Sequence, residues 1–309
     1  MTGIDMSAPK ILLLGSTGQV GWELQRSLAP LGEVVALQRE ASANPQGLCG
    51  NLEDTEALVH AVRTVRPRVI VNAAAYTAVD KAESDAARAN VVNATAPGLL
   101  AREAAALGAW LVHYSTDYVF DGSGDQPWRE DDATDPLSVY GRTKLAGEQA
   151  ILDSGCPHLI LRTSWVYAAR GGNFAKTMLR LAAEREELKV IADQTGAPTG
   201  ADLLADVTAL LLHRLQMRPE LGGTYHCAAA GETSWHGYAR HVIEWARAHG
   251  HAVKVAPEAV KAIPTSGYPT PAKRPLNSRL DTFKLRHAFD LHLPPWQHGV
   301  ERMLMETLR

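Results

Sequence analysis

Tyr140 and Lys144 stand four residues apart in Tyr140-Gly-Arg-Thr-Lys144, and Ser115-Thr116 closes an apolar run upstream of them. On a helix that spacing puts both side chains on one face, where the ammonium stabilises a phenolate and lowers the phenol's pKa. A free phenol titrates near pH ~10, so a neighbouring cation is what fits it for proton transfer at neutral pH. The chain has eight tyrosines, and such a pair also arises as an ordinary exposed helix contact. Its meaning depends on the elements that place it.

The first of these is a nucleotide-binding start. Ile11–Leu14 reads as a buried strand, followed at once by Gly15-Ser-Thr17-Gly18-Gln19-Val20-Gly21 and a helix with apolar Leu24, Leu28 and Leu31. Gly15 permits a tight turn, Gly18 lets the backbone approach a pyrophosphate, and Gly21 allows close helix packing. The helix N-terminus offers free N–H groups to the anion. The spacing is GxxGxxG, a variant of the commoner GxGxxG. A second strand, 34–37, ends at Gln38-Arg39-Glu40, where an NAD-specific site usually places an acid on the ribose 2′-hydroxyl. Gln38 takes that slot and Arg39 can neutralise a 2′-phosphate, which points to NADPH; Glu40 keeps NADH open, and Arg39 also reads as a solvated loop cation.

Further strands deliver the remaining candidates. Leu48-Cys49 reads as a short third strand, with Asn51 and Leu52 flanking an adenine ring and Asp54 or Thr55 capping the next helix. The run from Val69 to Asn72 empties into Ala73, Ala74 and Ala75, small residues that let a cofactor lie against backbone. A long helical region over 85–107 carries Asn93, read either as a bend and relay or as an exposed position. Trp110–Tyr114 delivers Ser115, Thr116 and Asp117 to a strand's carboxyl end, where ligands bind in open parallel sheets. The Gly-, Asp- and Pro-rich loop 121–136, with Trp128, is placed to cover the site, and the strand Leu159–Leu161 empties toward Trp165. Pro257, Pro264, Pro269, Pro271 and Pro275 punctuate a long segment read as irregular, a fixed loop that closes on a ligand; Arg274 lies within it, and its planar guanidinium matches a diphosphate.

Composition sets the bounds. With 309 residues, 46% of them hydrophobic, and a net charge of -3, the chain can bury one large core or two moderate ones. Its scattered basic residues give no reason to invoke nucleic acid or a membrane surface. Three widely spaced cysteines and histidines without HxxxH or HExxH spacing argue for a reducing compartment and against a catalytic metal. No apolar run approaches the ~18 residues of a membrane span, so a cytoplasmic protein is expected. The expected architecture is α/β, a Rossmann-type doubly wound parallel sheet with a smaller α/β substrate-binding lobe. Residues 10–167 form the dinucleotide-binding part, 200–230 return to it, 168–199 and 231–309 form the lobe, and 1–9 a loose tail.

Taken together, Ser115–Phe120 (STDYVF), Tyr140–Glu148 (YGRTKLAGE), Arg162–Tyr167 (RTSWVY), Asn173–Met178 (NFAKTM), Gln194–Thr199 (QTGAPT) and Arg274–Leu280 (RPLNSRL) resemble the extended short-chain dehydrogenase/reductase superfamily. Within it they resemble the dTDP-4-dehydrorhamnose reductase family, over nearly the whole chain. The resemblance implies NADPH-dependent reduction of the C4 ketone of dTDP-4-dehydro-6-deoxy-L-mannose to dTDP-L-rhamnose, a precursor of cell-surface polysaccharide. It makes Tyr140 the proton donor and Lys144 the residue that binds the nicotinamide ribose and tunes the phenol. Thr116 bonds the keto oxygen, Ser115 lies on the cofactor, and Asp117, Trp165 and Arg274 lie on the sugar nucleotide. Two departures stand out: Gln38-Arg39 lacks the acid some relatives carry, and Asn51 replaces the common aspartate. Dehydratases on this scaffold follow the threonine with two acids, whereas here Asp117 is followed by Tyr118. A reductase or epimerase of another nucleoside-diphosphate sugar remains the alternative, with a non-catalytic regulatory subunit a third; a homodimer is left open.

Overall fold

The computed structural model describes residues 8–308, so most of the tail expected over 1–9 lies outside the described residues. Six parallel strands form the central sheet: β1 (Lys10–Leu14), β2 (Glu33–Leu37), β3 (Val69–Asn72), β4 (Trp110–Thr116), β5 (His158–Thr163) and, from much later in the chain, β10 (Gly223–His226). Their spatial order is β10-β5-β4-β3-β1-β2. The chain runs outward from β1 to β2 and then resumes on the other side of β1, which opens the switch-point crevice at the strands' carboxyl ends.

Both faces of the sheet are covered, and this is why its strands read as unbroken apolar runs. Leu12, Leu14, Ile70, Leu111 and Ile160 face one side. There they meet α2 (Thr55–Val65), α5 (Ala96–Leu107) and α6 (Val139–Asp153). Ile11, Leu13, Val71, Val112 and Leu161 face the other, against α1 (Gln19–Leu28) and α8 (Ala201–Leu215). Each alternate residue thus serves the opposite layer, as the two-residue strand period requires.

The helical path between β3 and β4 is interrupted. After α3 (Val79–Ala82) and α4 (Ala86–Asn90) comes a π turn over Val91–Thr95, and only then α5. Pro97 has no N–H for the Asn93 carbonyl four residues before it, so the helix widens there. Two sequence expectations are corrected. Leu48-Cys49 is not a strand: it crosses the end of the edge strand β2, touching it through Gly50 N–H to Gln38 O and Cys49 Sγ to Arg39 O. The proline-rich segment holds a strand, because Pro257 and Pro264 bracket Val260–Ile263 without interrupting it.

The remaining strands are short and pack with four further helices. Two-residue strands β6 (Val166–Tyr167), β8 (Thr195–Gly196), β9 (Thr199–Gly200) and β11 (Thr233–Ser234) pair as β6-β9 and β8-β11. β7 (Leu188–Ile191) pairs with β12 (Val260–Ile263), and both lie against α7 (Phe174–Glu184) and α9 (Trp235–Ala248) through Met178, Leu188, Val190, Ile243 and Val260. After α10 (Phe283–Phe289), α11 (Trp296–Thr307) packs Trp296, Val300 and Leu304 on Tyr238 and Val242. No helix among the described residues is long and apolar enough to cross a membrane.

Candidate active site

The glycine turn is built for close approach. Gly15 has φ +78°, and a Cβ there would lie 2.7 Å from Ala74 N; a Cβ on Gly21 would lie 2.0 Å from Gly15 O. Only glycine fits either position. Gly18 caps α1 without any side-chain hydrogen bond, so the first N–H groups of that helix remain free for an anion. Thr17 and Gly18 are exposed, and Gln19 and Val20 half-buried. Gln19 and the carbonyl of Thr17 meet the loop at 170–172: Gln19 Nε2 donates to Gly172 O at 3.5 Å and Arg170 Nε to Thr17 O at 3.4 Å.

Past β2, Gln38 and Arg39 are exposed. Arg39 lies 3.3 Å from Glu53, whose carboxylate is held more closely by Arg88 at 2.8 Å. Sequence reading missed Glu53, an acid on a loop. Asn51 is half-buried and accepts from Glu53 N–H. Leu52 is packed in the core with Leu48 and Leu58, so its side chain serves the core. Ala73, Ala74 and Ala75 leave β3 half-buried, directly against Gly15.

Thr116, Asp117, Tyr140 and Lys144 come together where β4 ends beside the start of α6. Ser138 caps α6 by accepting from Gly141 N–H at 3.2 Å, which sets Tyr140 in the first turn. Burial pushes the Tyr140 phenol up to about 12, with the Thr116 hydroxyl pulling the other way and Asp117 adding to the rise. Tyr118 meets the Tyr140 ring edge-on at 5.5 Å. Thr116 Oγ1 donates to Asp117 Oδ1 at 3.0 Å and accepts from Tyr118 N–H. Asp117 is buried, its carboxyl pushed up to about 6, and its Oδ2 has no partner. The buried Ser115 hydroxyl is likewise without a partner.

Lys144 departs from the simple picture of an ammonium beside a phenol. Its Nζ donates to Tyr114 O at 2.6 Å and lies 3.0 Å from His113 Nε2. Burial lowers its pKa to about 8, with Glu148 opposing. The sequence expectation that Lys144 lowers the Tyr140 pKa is corrected to that extent: the phenol sits above its free value. The cause is desolvation, which for a neutral acid outweighs a cation that points elsewhere. His113 was missed in sequence, although an imidazole inside an otherwise apolar strand was the available signal.

Arg274 is half-buried. Its guanidinium donates to Asp80 Oδ2 at 2.7 Å, and Asp80 Oδ1 accepts from Ala272 N–H. One carboxylate therefore holds both the arginine and its loop, while the other arm of the guanidinium donates to Thr270 Oγ1 and Ala272 O, with Tyr118 beside it. Trp165 has φ +49°, rare for a bulky residue and typical of functional positions. It stacks on Trp235 at 3.7 Å. The loop 121–136 is sewn to the Arg274 segment: Asn277 donates to Gln126 O, Trp128 Nε1 donates to Asn277 O, and the Trp128 ring stacks on Phe120 at 4.7 Å.

A Rossmann sheet with a glycine-turn anion site, and a threonine, a tyrosine and a lysine at the end of its fourth strand, is the framework of a nicotinamide-dependent oxidoreductase of the short-chain type. Comparison with known proteins narrows the class. Residues 9–309 match the family described as RmlD substrate binding domain. The chain is 57% identical over 296 residues to a dTDP-4-dehydrorhamnose reductase of Salmonella typhimurium, covering 96% of this chain and 97% of that one. A second, from Burkholderia thailandensis, is 49% identical, with 97% and 99% covered. Among solved structures, the dTDP-4-dehydrorhamnose reductase of Bacillus anthracis in complex with NADP superposes with a TM-score of 0.84 at 34% identity, over 98% of this chain and 100% of that one. The chain belongs to the RmlD family of dTDP-4-dehydrorhamnose reductases.

Proposed function

We propose that the chain reduces the C4 ketone of dTDP-4-dehydro-6-deoxy-L-mannose with NADPH to give dTDP-L-rhamnose, the last step of dTDP-rhamnose biosynthesis. The observation that carries this reading is the Thr116 hydroxyl beside the Tyr140 phenol at the carboxyl end of β4, with Lys144 one turn along α6 held on Tyr114 O, in a chain of this family. The cradle fits a dinucleotide, since Gly15 and Gly21 let the turn close against the Ala74 backbone and the start of α1, whose first N–H groups carry no side-chain cap. Gly15, Thr17, Gly18, Gln19, Val20 and Gly21 would hold the pyrophosphate. Gln38, Arg39, Asn51 and Leu52 would hold the adenosine end, and Ala73, Ala74, Ala75, Ser115 and Lys144 the nicotinamide half. Bound there, the reduced nicotinamide supplies a hydride to the sugar's C4.

The protein's own groups then manage the charge on O4. Tyr140 donates a hydrogen bond to the developing alkoxide, Thr116 does so once its hydroxyl turns from Asp117 Oδ1, and Tyr140 transfers its proton to complete the alcohol. A phenol held up to about 12 keeps its proton until an alkoxide, a much stronger base, is formed. Asp117 Oδ2 accepts from a sugar hydroxyl, Trp165 walls the sugar, and Arg274 grips the diphosphate. In this reading residues 10–167 with 200–230 bind the dinucleotide, and 168–199 with 231–309 bind the sugar nucleotide.

The test is to incubate the purified chain with NADPH and an enzymatically prepared dTDP-4-dehydro-6-deoxy-L-mannose. Loss of nicotinamide absorbance with formation of dTDP-L-rhamnose is expected. Consumption of NADPH only with UDP- or GDP-linked 4-keto sugars refutes the substrate, and epimerisation without net NADPH consumption refutes the reaction.

A further inference from the structure

Beneath Ser115, one strand period deeper on the same face of β4, lies His113, buried and flanked by two nitrogen groups. Asn72, its register partner on β3, places Nδ2 3.2 Å from His113 Nδ1, and Lys144 places Nζ 3.0 Å from His113 Nε2. The Asn72 amide is pinned, because its Oδ1 accepts the Ala74 N–H at 3.2 Å. Its NH₂ therefore faces the imidazole, so Nδ1 is the accepting nitrogen and Nε2 carries the proton. That proton points at Lys144 Nζ. A neutral amine can accept it with its lone pair while donating to Tyr114 O. An ammonium cannot, having three donors and no acceptor.

We propose that Asn72 and His113 are positioning residues that hold Lys144 and tie its protonation to the tautomer of the His113 ring. When Lys144 takes up a proton, Nε2 must become an acceptor and the ring proton moves to Nδ1. Nδ1–H then confronts the Asn72 amide donors, which must turn away and surrender the Ala74 bond. No proton leaves the ring in total; one is gained by Lys144 and the imidazole stays neutral throughout. The lowering of both the Lys144 and the His113 pKa, for which burial is the first cause, agrees with a pair that resists carrying a second proton. Around it, α6 contributes Glu148, which β5 grips through Arg162 at 2.7 Å, and Tyr140 one turn toward the site. β3 contributes the neutral Asn72, the π turn the neutral Asn93, and the end of β4 Asp117.

The catalytic meaning rests on the function proposed above, since Lys144 is placed there on the cofactor and behind Tyr140. The test does not depend on turnover. In protein labelled with ¹⁵N-histidine, with the His113 signals identified by their loss in His113→Gln, the ring ¹⁵N shifts report which nitrogen bears the proton. Expected is an Nε2–H ring at alkaline pH that converts to Nδ1–H as pH falls through about 8, the value to which burial brings Lys144. Asn72→Asp keeps the acceptor for Ala74 N–H and offers a second oxygen to Nδ1–H, so the midpoint should rise by about one pH unit or more. The alkaline limb of kcat/KM should move with it. A ring that keeps one tautomer between about pH 6 and pH 10 overturns the proposal, as does a midpoint that Asn72→Asp leaves in place. Failure of the substrate assignment would remove only the kcat/KM limb, leave both ring ¹⁵N readouts intact, and is recognised separately.

Discussion

Helix α6 meets the π turn at one point where no side chain fits, and Gly147→Ala tests whether that contact places the catalytic pair. A Cβ at Gly147 would lie 2.1 Å from Asn93 O. Carbon and oxygen in ordinary contact keep about 3.3 Å or more, so α6 and the π turn must part by about 1 Å. The helix cannot tilt freely to absorb this, because Glu148 beside it is gripped through both oxygens by the buried Arg162. The displacement therefore passes along α6 to Lys144 and Tyr140, one and two turns away. Overpacking of this kind costs about 1–3 kcal/mol, against which alanine returns up to ~1 kcal/mol of helix propensity over glycine. The variant should fold. A misplacement of about 1 Å at the reacting groups can cost ~10²-fold in turnover, so kcat should fall by one to two orders of magnitude while NADPH binding, measured by nucleotide fluorescence, is kept. A variant with near-normal melting and kcat within about threefold of the parent would refute the idea that this backbone contact sets the active geometry.

Other consequences are as direct. Tyr140→Phe removes the proton donor and should lower turnover by about 10²-fold or more with NADPH affinity nearly unchanged; unchanged turnover removes Tyr140 from the chemistry. Arg39→Ala should weaken NADPH more than NADH. Arg39 is mostly exposed and its pairing with Glu53 is long, so little is lost besides a partner for the 2′-phosphate; equal losses for both cofactors would show that Arg39 does not read that group. Asp117 gives a pH signature. Its folded pKa, about 6, lies above the ~3.9 of an unfolded aspartate, so between those values the folded state binds the extra proton and stability falls as pH rises. The loss amounts to about 3 kcal/mol by pH 7. Urea midpoints of Asp117→Asn should lack that component, and parallel pH curves for variant and parent would contradict it.

The central sheet was legible because its strands are covered on both faces. Ile11–Leu14, Val69–Val71 and Leu159–Leu161 had to be continuous apolar runs, and the glycine turn could follow only one kind of strand. Tyr140, Lys144 and Thr116 were legible because their types and spacing name a chemistry. What stayed hidden depends on contacts between distant segments. Asp80 and Arg274 are far apart in sequence and meet at 2.7 Å. The β12 strand was obscured by flanking prolines that bracket it, and the π turn by the fact that a missing N–H at Pro97 shows its effect four residues earlier. Lys144 illustrates the limit: helical spacing placed it on the face of Tyr140, but the direction of its ammonium is decided by His113 and Tyr114 on a strand.

The packing of α6 shows how such a site is held. Its buried residues are Gly141, Thr143, Lys144, Gly147, Glu148 and Ile151, so a single large aliphatic side chain anchors a 15-residue helix to the core. Apolar contact alone would allow such a helix to slide, since one apolar knob fits several hollows. The polar contacts do not. Glu148 fits only the guanidinium of Arg162, Thr143 meets Asn93, and Lys144 reaches Tyr114 O and His113. A buried ion pair adds little net stability compared with apolar residues, but a shift that separated it would leave two uncompensated charges at a cost of about 3–5 kcal/mol. The helix is thereby confined to one register, and that register is the one in which Tyr140 faces Thr116. Positional specificity, more than stability, explains why the inward face of this helix is polar.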